Sequence, residues 1–148
     1  MNDLIRSLVE AYGPSGFEDA VRGLIRPLVE PHADEISVDA MGNLIVRKRA
    51  TGDNPLKVMI AAHMDEIGVM APHITAEGFL RFTNIGGVGP YTLMGGRVRF
   101  ADGTLGVIGA DRNDDRSAIH PLSKHYIDVG ATSRDDCPVR VGDAAHFE

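Results

Sequence analysis

The residues best suited to chemistry are His63 and Asp65, which follow an apolar run at residues 58–62. Residues two apart in an extended chain share a face, so the Asp65 carboxylate can reach the His63 ring. Such a carboxylate holds a metal-binding imidazole in one tautomer and one orientation. Sheet enzymes also place their sites where strands end. The pattern predicts that His63 is a metal ligand oriented by Asp65; the alternative is a surface turn after a strand.

Glu66 is the nearest candidate for a general base, but the same alternation points its side chain away from the His63 face. We therefore do not assign that role to Glu66. A hydrolytic zinc site usually needs three protein ligands and a water, and a two-metal site also needs bridging carboxylates. The other histidines lack a carboxylate pair at ligand spacing and are interpreted as surface or structural residues: His32, His73, His120, His125 and His146.

The elements that must position these residues change in character along the chain. Apolar residues recur at helical spacing within residues 4–9 and 20–28, which predicts two amphipathic helices. A period of two then indicates strands, and after Gly68 a turn about every ten residues is typical of a small barrel or sandwich. The predicted fold class is therefore α/β, with a small β-barrel-like domain after Gly68. The strands are expected at residues 35–38, 43–47, 57–62, 68–74, 79–83, 97–100, 105–109, 126–129 and 144–147.

The strand expected at residues 57–62 is apolar almost throughout, so it needs cover on both faces. A second chain, an identical neighbour or a rearranged lobe could supply that cover. The sequence does not choose among these three.

Composition excludes several classes of partner. The 148 residues carry a formal net charge of -6, and an acidic protein without a strong basic patch repels nucleic acid and anionic membranes. The single cysteine, Cys137, excludes an internal disulfide, and the first residues lack the features of a secretory signal. No apolar run approaches the roughly 20 residues of a membrane span. We expect a cytoplasmic protein that binds neither nucleic acid nor membrane.

Residues 61–68, which read Ala-Ala-His-Met-Asp-Glu-Ile-Gly, closely resemble the first metal-binding motif of the M42 family of metallo-aminopeptidases. This family contains glutamyl and deblocking aminopeptidases and was once misnamed as cellulases. Several shorter segments match the family in the same order, which makes the resemblance far more specific than the His-x-Asp pair alone. These segments are residues 13–18, 39–44, 85–88, 106–109, 126–131 and 141–143.

The resemblance implies an α/β catalytic domain, represented in part by residues 1–67, and an inserted β-rich domain, residues 68–148, used in dimerisation and in large hollow complexes. It implies that amino-terminal residues are removed from peptides by a water activated between two divalent metal ions, zinc or cobalt. Carried over, His63 is a metal ligand, and Asp65 is its partner and an aid to catalysis. No other family site residue is transferred.

The matched stretch is less than half of a full family member, and the family's remaining ligands and its base are expected beyond it. A lone imidazole cannot hold a two-metal centre with useful affinity. We therefore expect a homo-oligomer or a complementing chain, and no peptidase turnover from this chain by itself.

Two other interpretations stay open. The first is a non-catalytic β-domain assembly module. The second is a relative of the M20 or M28 deacylases, which also begin with His-x-Asp. The Glu-Ile-Gly that follows Asp65 and the β-rich region after it favour M42 over the second interpretation.

Overall fold

The computed structural model describes residues 1–54, 56–112 and 119–148, and the chain forms two compact units. The first unit comprises Met1–Gly13 and Phe17–Asp65. The second comprises Pro14–Gly16 and Glu66–Glu148.

The first unit contains two α-helices, a short 3-10 helix (Glu30–His32) and one antiparallel β-hairpin, so both predicted helices and the first two predicted strands are confirmed. Among the described residues, no helix has the length and apolar character that crossing a bilayer requires. The elements are α1 (Asn2–Val9), α2 (Asp19–Val29), β1 (Glu35–Val38) and β2 (Leu44–Arg47).

The hairpin turn of the first unit is fixed by one carboxylate. Asp39 accepts hydrogen bonds from the backbone amides of Met41 and Asn43, at 3.0 and 2.9 Å. Asp and Asn favour turns because their short side chains bond to nearby backbone in this way. Arg22 of α2 donates from Nε to the carbonyl oxygen of Gly42 at 3.0 Å. The turn is therefore attached to the helix as well as closed upon itself.

The first unit buries little apolar surface. Among its described residues, Val21 of α2 is the one apolar side chain that is buried, at 5% exposure. Apolar residues of both helices and of the hairpin stay exposed, so packing within this unit leaves its apolar faces uncovered. The exposed set includes Leu4, Ile5, Val9, Leu24, Leu28, Val38, Ile45 and Val46.

The prediction of a strand at residues 57–62 is wrong, because the structure forms no strand there. No strand or helix includes residues 56–65, and Val58, Met59 and Ile60 are 73%, 89% and 92% exposed. A strand exists only when a neighbour accepts and donates its backbone hydrogen bonds. The described residues of the first unit form just two strands, and these pair with each other.

The second unit is a closed barrel, so the barrel is confirmed over the sandwich. Its strand order is β3-β4-β7-β6-β5-β8, and every neighbouring pair is antiparallel. Closure removes the unpaired edges that an open sheet exposes. The strands are β3 (Gly68–Ile74), β4 (Leu80–Ile85), β5 (Arg97–Phe100), β6 (Leu105–Ala110), β7 (His125–Asp128) and β8 (Ala144–Phe147).

Two tight hairpins build the barrel where the sequence places Glu77-Gly78 and Asp102-Gly103. Gly78 and Gly103 have φ of 88° and 89°, a backbone conformation that residues with a Cβ rarely adopt. Gly78 lies between β3 and β4, and Gly103 lies between β5 and β6. A Glu-Gly or Asp-Gly pair predicts a hairpin turn for this reason, and both turns are present.

Side chains alternate between the barrel interior and its surface. On β6, Ile108 is 1% exposed, whereas the adjacent Val107 is 48% exposed. Leu80 and Ile127 lie opposite each other on β4 and β7, and both are fully buried. The period of two seen in the sequence thus matches an interior filled by side chains.

We expect Ile108→Ala to lower the free energy of unfolding of the barrel by about 2–5 kcal/mol, because it opens a cavity in a packed interior. Val107→Ala is the matched control on the same strand. It should cost less than about 1 kcal/mol, because that side chain is half exposed. Urea unfolding followed by circular dichroism measures both. Equal losses for the two variants would contradict the assigned interior.

One loop between β7 and β8 is organised by Asp136. Its carboxylate accepts hydrogen bonds from the Thr132 hydroxyl at 2.7 Å and from the Ser133 amide at 2.8 Å. These hydrogen bonds favour the charged form and lower the pKa of Asp136 from 3.8 to about 2.

The Asp136 contribution to stability should therefore be present above pH 3.8 and disappear as pH falls through about 2. The difference in Tm between the wild type and Asp136→Asn should be constant at higher pH and shrink across that interval. Thermal unfolding at a series of pH values measures this. A difference in Tm that stays constant across that interval would contradict this role of the Asp136 carboxylate.

Candidate functional site

The structure brings His63 and Asp65 into contact. His63 Nδ1 lies 2.9 Å from the Asp65 carbonyl oxygen and 3.2 Å from its carboxylate Oδ1. Both oxygens accept hydrogen bonds, so they favour the tautomer in which Nδ1–H donates and Nε2 carries the lone pair. The His63 side chain is 85% exposed, and that of Asp65 is 37% exposed. The imidazole is thus oriented by its neighbour while its other nitrogen stays accessible.

This geometry suits a metal-binding histidine, because such a ligand commonly donates its second ring N–H to a carboxylate or carbonyl. A metal centre also requires further ligands from the protein. Among the residues that the structure describes, no group of three or more His, Cys, Asp or Glu side chains could hold a metal ion. The described chain therefore offers one oriented imidazole rather than a complete metal centre, and the roles of His63 and Asp65 stay predictions.

Glu66 faces a different partner from His63. Its Oε1 lies 3.0 Å from Nδ1 of His146, a β8 residue that is only 4% exposed. This pair belongs to the barrel unit, whereas His63 and Asp65 belong to the first unit. No local pattern connects residues 66 and 146, so sequence reasoning missed the contact.

The backbone of Glu66 is also held, by contacts with Pro14 and Ser15. Pro14 forms a parallel bridge with Glu66, and the Ser15 amide donates to the Glu66 carbonyl oxygen at 3.2 Å. Gly68 then begins β3, opposite His146 of β8. A Cβ on Gly68 would lie 2.6 Å from the Ala145 carbonyl oxygen. The barrel thus fixes the segment that directly follows Asp65 in the chain.

Of the remaining histidines, two lie at the surface and one packs inside the barrel. His32 and His73 are exposed, whereas His125 is 1% exposed. The His125 Nδ1–H donates to the Pro121 carbonyl oxygen at 3.0 Å, and its ring lies 6.4 Å from that of Phe82. His125 is therefore part of the barrel packing, as the structural interpretation of these histidines expects.

The glycine-rich segment at residues 87–89 lines an open cavity of about 350 Å³ in the barrel unit. Val88, Leu93 and Phe147 supply its apolar lining, and Arg97 and Glu148 lie at its polar part. The Arg97 Nε is 3.7 Å from the Glu148 carboxylate. These two charges are thus paired with each other.

We expect Gly68→Ala to destabilise the barrel by more than about 1 kcal/mol, because the new methyl group collides with backbone that closes the sheet. Gly87→Ala is the matched control, since a Cβ there has no heavy atom within 4 Å. It should change the free energy of unfolding by less than about 0.5 kcal/mol. Urea unfolding of both variants is the measurement, and a neutral Gly68→Ala would contradict the close approach.

Known proteins match both the sequence and the structure. A family model described as M42 glutamyl aminopeptidase matches residues 42–148. The lysyl aminopeptidase of Pyrococcus furiosus is 35% identical over 158 residues, which cover 98% of this chain and 45% of that protein.

Two solved structures are similar over nearly the whole chain. An aminopeptidase from the archaeon Desulfurococcus kamchatkensis has a TM-score of 0.88 and 41% identity, covering 99% of this chain and 42% of that one. The Pyrococcus horikoshii TET1 peptidase has a TM-score of 0.87 and 33% identity, covering 99% of this chain and 46% of that one. That peptidase can assemble into a tetrahedron or a large octahedral shell.

The chain spans less than half the length of these relatives. The family model, in contrast, matches well over half of the chain and includes His63 and Asp65. The chain therefore belongs to the M42 glutamyl aminopeptidase family.

Proposed function

We propose that this chain supplies the first metal-binding motif and the inserted barrel domain of a metal-dependent aminopeptidase. In this proposal residues 1–67 are the amino-terminal part of an α/β catalytic domain, and residues 68–148 are the inserted domain. The observation that carries the proposal is the contact between His63 Nδ1 and Asp65 within the family's His-x-Asp motif. The exposed ring keeps Nε2 accessible, as a metal ligand must.

In the complete enzyme, His63 would hold one of two divalent ions, zinc or cobalt, through Nε2. The chemistry that such ions supply is a lowered pKa of bound water and a polarised scissile carbonyl. Asp65 acts as a positioning residue, because its two oxygens keep the proton on Nδ1 and fix the plane of the ring. The substrate is a peptide with a free amino terminus.

The chain by itself should have no peptidase turnover. Its predicted metal ligand is His63 alone, and among the described residues no group of three or more His, Cys, Asp or Glu side chains could hold a metal ion. A hydrolytic site needs at least three protein ligands for one zinc ion. Activity therefore requires the portion of the catalytic domain that the relatives carry beyond the matched region.

A second candidate function is a non-catalytic assembly module, favoured by one observation. The barrel is closed and has its own buried core, so it needs no catalytic domain to complete its sheet. The Pyrococcus horikoshii relative can assemble into large shells. By analogy, we propose that this chain belongs to a homo-oligomer under either function.

A covalent chimera tests the enzymatic proposal. Residues 1–148 are followed by the part of the Desulfurococcus kamchatkensis aminopeptidase that lies beyond its matched region. With added zinc or cobalt, the chimera should hydrolyse aminoacyl anilides, and the 148-residue chain should not. In the chimera, His63→Ala should lower turnover by more than about 100-fold, because removing a ligand costs more than removing its hydrogen-bond partner.

Asp65→Asn should lower the apparent metal affinity of the chimera about 10–100-fold, and raising the metal concentration should restore part of its turnover. A merely structural role for Asp65 would not respond to metal in this way. His73→Ala, at an exposed barrel position, is the control and should keep full turnover. A folded chimera without metal-dependent turnover, or one that tolerates His63→Ala, would refute the enzymatic proposal.

A further inference from the structure

His146 is a buried histidine whose ring contacts the residue that directly follows Asp65 in the chain. It lies on β8, between β3 and β5, so its backbone is opposite Gly68 on one side and Arg99 on the other. A carboxylate only accepts hydrogen bonds, so the His146 Nδ1–H donates to Glu66 Oε1 at 3.0 Å. A buried ring on a strand that is paired on both sides is a firm anchor for the Glu66 side chain.

Two of the groups attached to the Glu66 Cα are held by neighbours. His146 holds its side chain, and the Ser15 amide donates to its carbonyl oxygen at 3.2 Å. The backbone has two soft dihedral angles at each residue, one of which is the rotation about the Cα–C bond. That rotation would swing the Glu66 side chain and backbone nitrogen together, because both are bonded to Cα. Holding the side chain therefore also restrains the nitrogen.

The Glu66 nitrogen shares one planar peptide unit with the Asp65 carbonyl. The oxygen of this carbonyl is the nearer of the two partners of His63 Nδ1, at 2.9 Å compared with 3.2 Å for the carboxylate. The position of the Glu66 backbone therefore bears on the oxygen that keeps the proton on His63 Nδ1. Successive contacts connect β8 to the His63 imidazole through one side chain and one peptide bond.

We propose that His146 is a positioning residue for the predicted metal ligand His63. Through Glu66, His146 holds the Asp65 carbonyl oxygen where it accepts the His63 Nδ1–H, and this leaves the lone pair of His63 Nε2 for a metal ion. The inference rests on the proposed function, because it takes His63 as a metal ligand. It gives the barrel domain a part in preparing a ligand that belongs to the first unit.

The other buried histidine of the barrel provides a matched comparison. His125 is 1% exposed and lies on β7. Its Nδ1–H donates to the Pro121 carbonyl oxygen, and its ring packs near Phe82. His125 and His146 therefore match in burial and in the type of element, but they differ in the residue that accepts the Nδ1–H.

Nitrogen-15 NMR of the histidine rings in the 148-residue chain tests the proposal without metal. Spectra at about pH 8.5 report neutral rings, since this is above the ordinary titration range of histidine. His63→Gln identifies the His63 signals. In the parent chain the proton of His63 should be on Nδ1. His146→Leu should lower the ratio of the Nδ1–H to the Nε2–H tautomer of His63 about fivefold, the change expected when one hydrogen bond is lost.

Two further variants separate positioning from packing. His146→Asn should keep the tautomer ratio within about twofold of the parent, because its amide nitrogen still donates to Glu66. His125→Leu should lower the Tm, as His146→Leu does, but should leave the His63 tautomer ratio unchanged. An unaltered ratio in folded His146→Leu, or an equal change in His125→Leu, would overturn the proposal.

Glu66→Ala removes the same contact from its other side and serves if His146→Leu does not fold. The Glu66 side chain is 34% exposed, so its truncation opens little space in the barrel. It should also lower the tautomer ratio of His63 about fivefold. A folded Glu66→Ala chain with the parent ratio would overturn the proposal.

Zinc affinity of the covalent chimera gives a second measurement. His146→Leu should raise the dissociation constant for zinc at least about tenfold, as expected when the partner of a ligand is disturbed, and saturating zinc should restore turnover. Unchanged zinc affinity would overturn the proposal even if the chimera is an active peptidase. A shifted tautomer ratio in the 148-residue chain, with no turnover from the parent chimera, would uphold positioning and refute the enzymatic proposal.

Discussion

Pairing between the first and last strands of the barrel is the constraint on which the second unit depends. Strands β3 and β8 pair at Gly68, Val69 and Met70, although about half of the chain separates them in sequence. The pairing removes both free edges of the sheet at once. It also places His146 beside the Glu66 carboxylate and requires a glycine at residue 68. The same strand pairing therefore closes the barrel and anchors the segment after Asp65.

Local patterns were enough to predict most of the elements. The period of two located the barrel strands, because each strand has an interior and a surface face, as Ile108 and Val107 illustrate. Turn residues such as Gly78 located the hairpins, since their backbone conformation is set by the residue itself. Local sequence patterns could not distinguish a barrel from a sandwich, because that difference depends on which distant strands pair.

The prediction of a strand at residues 57–62 was wrong for a related reason. Apolar character predicts that a segment will be covered, but hydrogen-bonding partners decide whether it becomes a strand. In the site, the His63 contact with Asp65 was predictable because two residues of spacing determine it. The Glu66 contact with His146 was not, because it follows from barrel closure. Contacts of short sequence separation were predicted and those of long separation were missed.

The exposed apolar run at residues 58–62 also has a consequence for association between copies of the chain. Residues 58–62 are uncharged, contain neither proline nor glycine, and include two β-branched side chains, Val58 and Ile60. This is the composition that stacks into cross-β assemblies when many copies meet. Lys57 stands directly before the run as a gatekeeper charge, whereas no carboxylate follows until Asp65. Exposed copies of this run can therefore stack on one another, and a charge limits such stacking on one side of the run only.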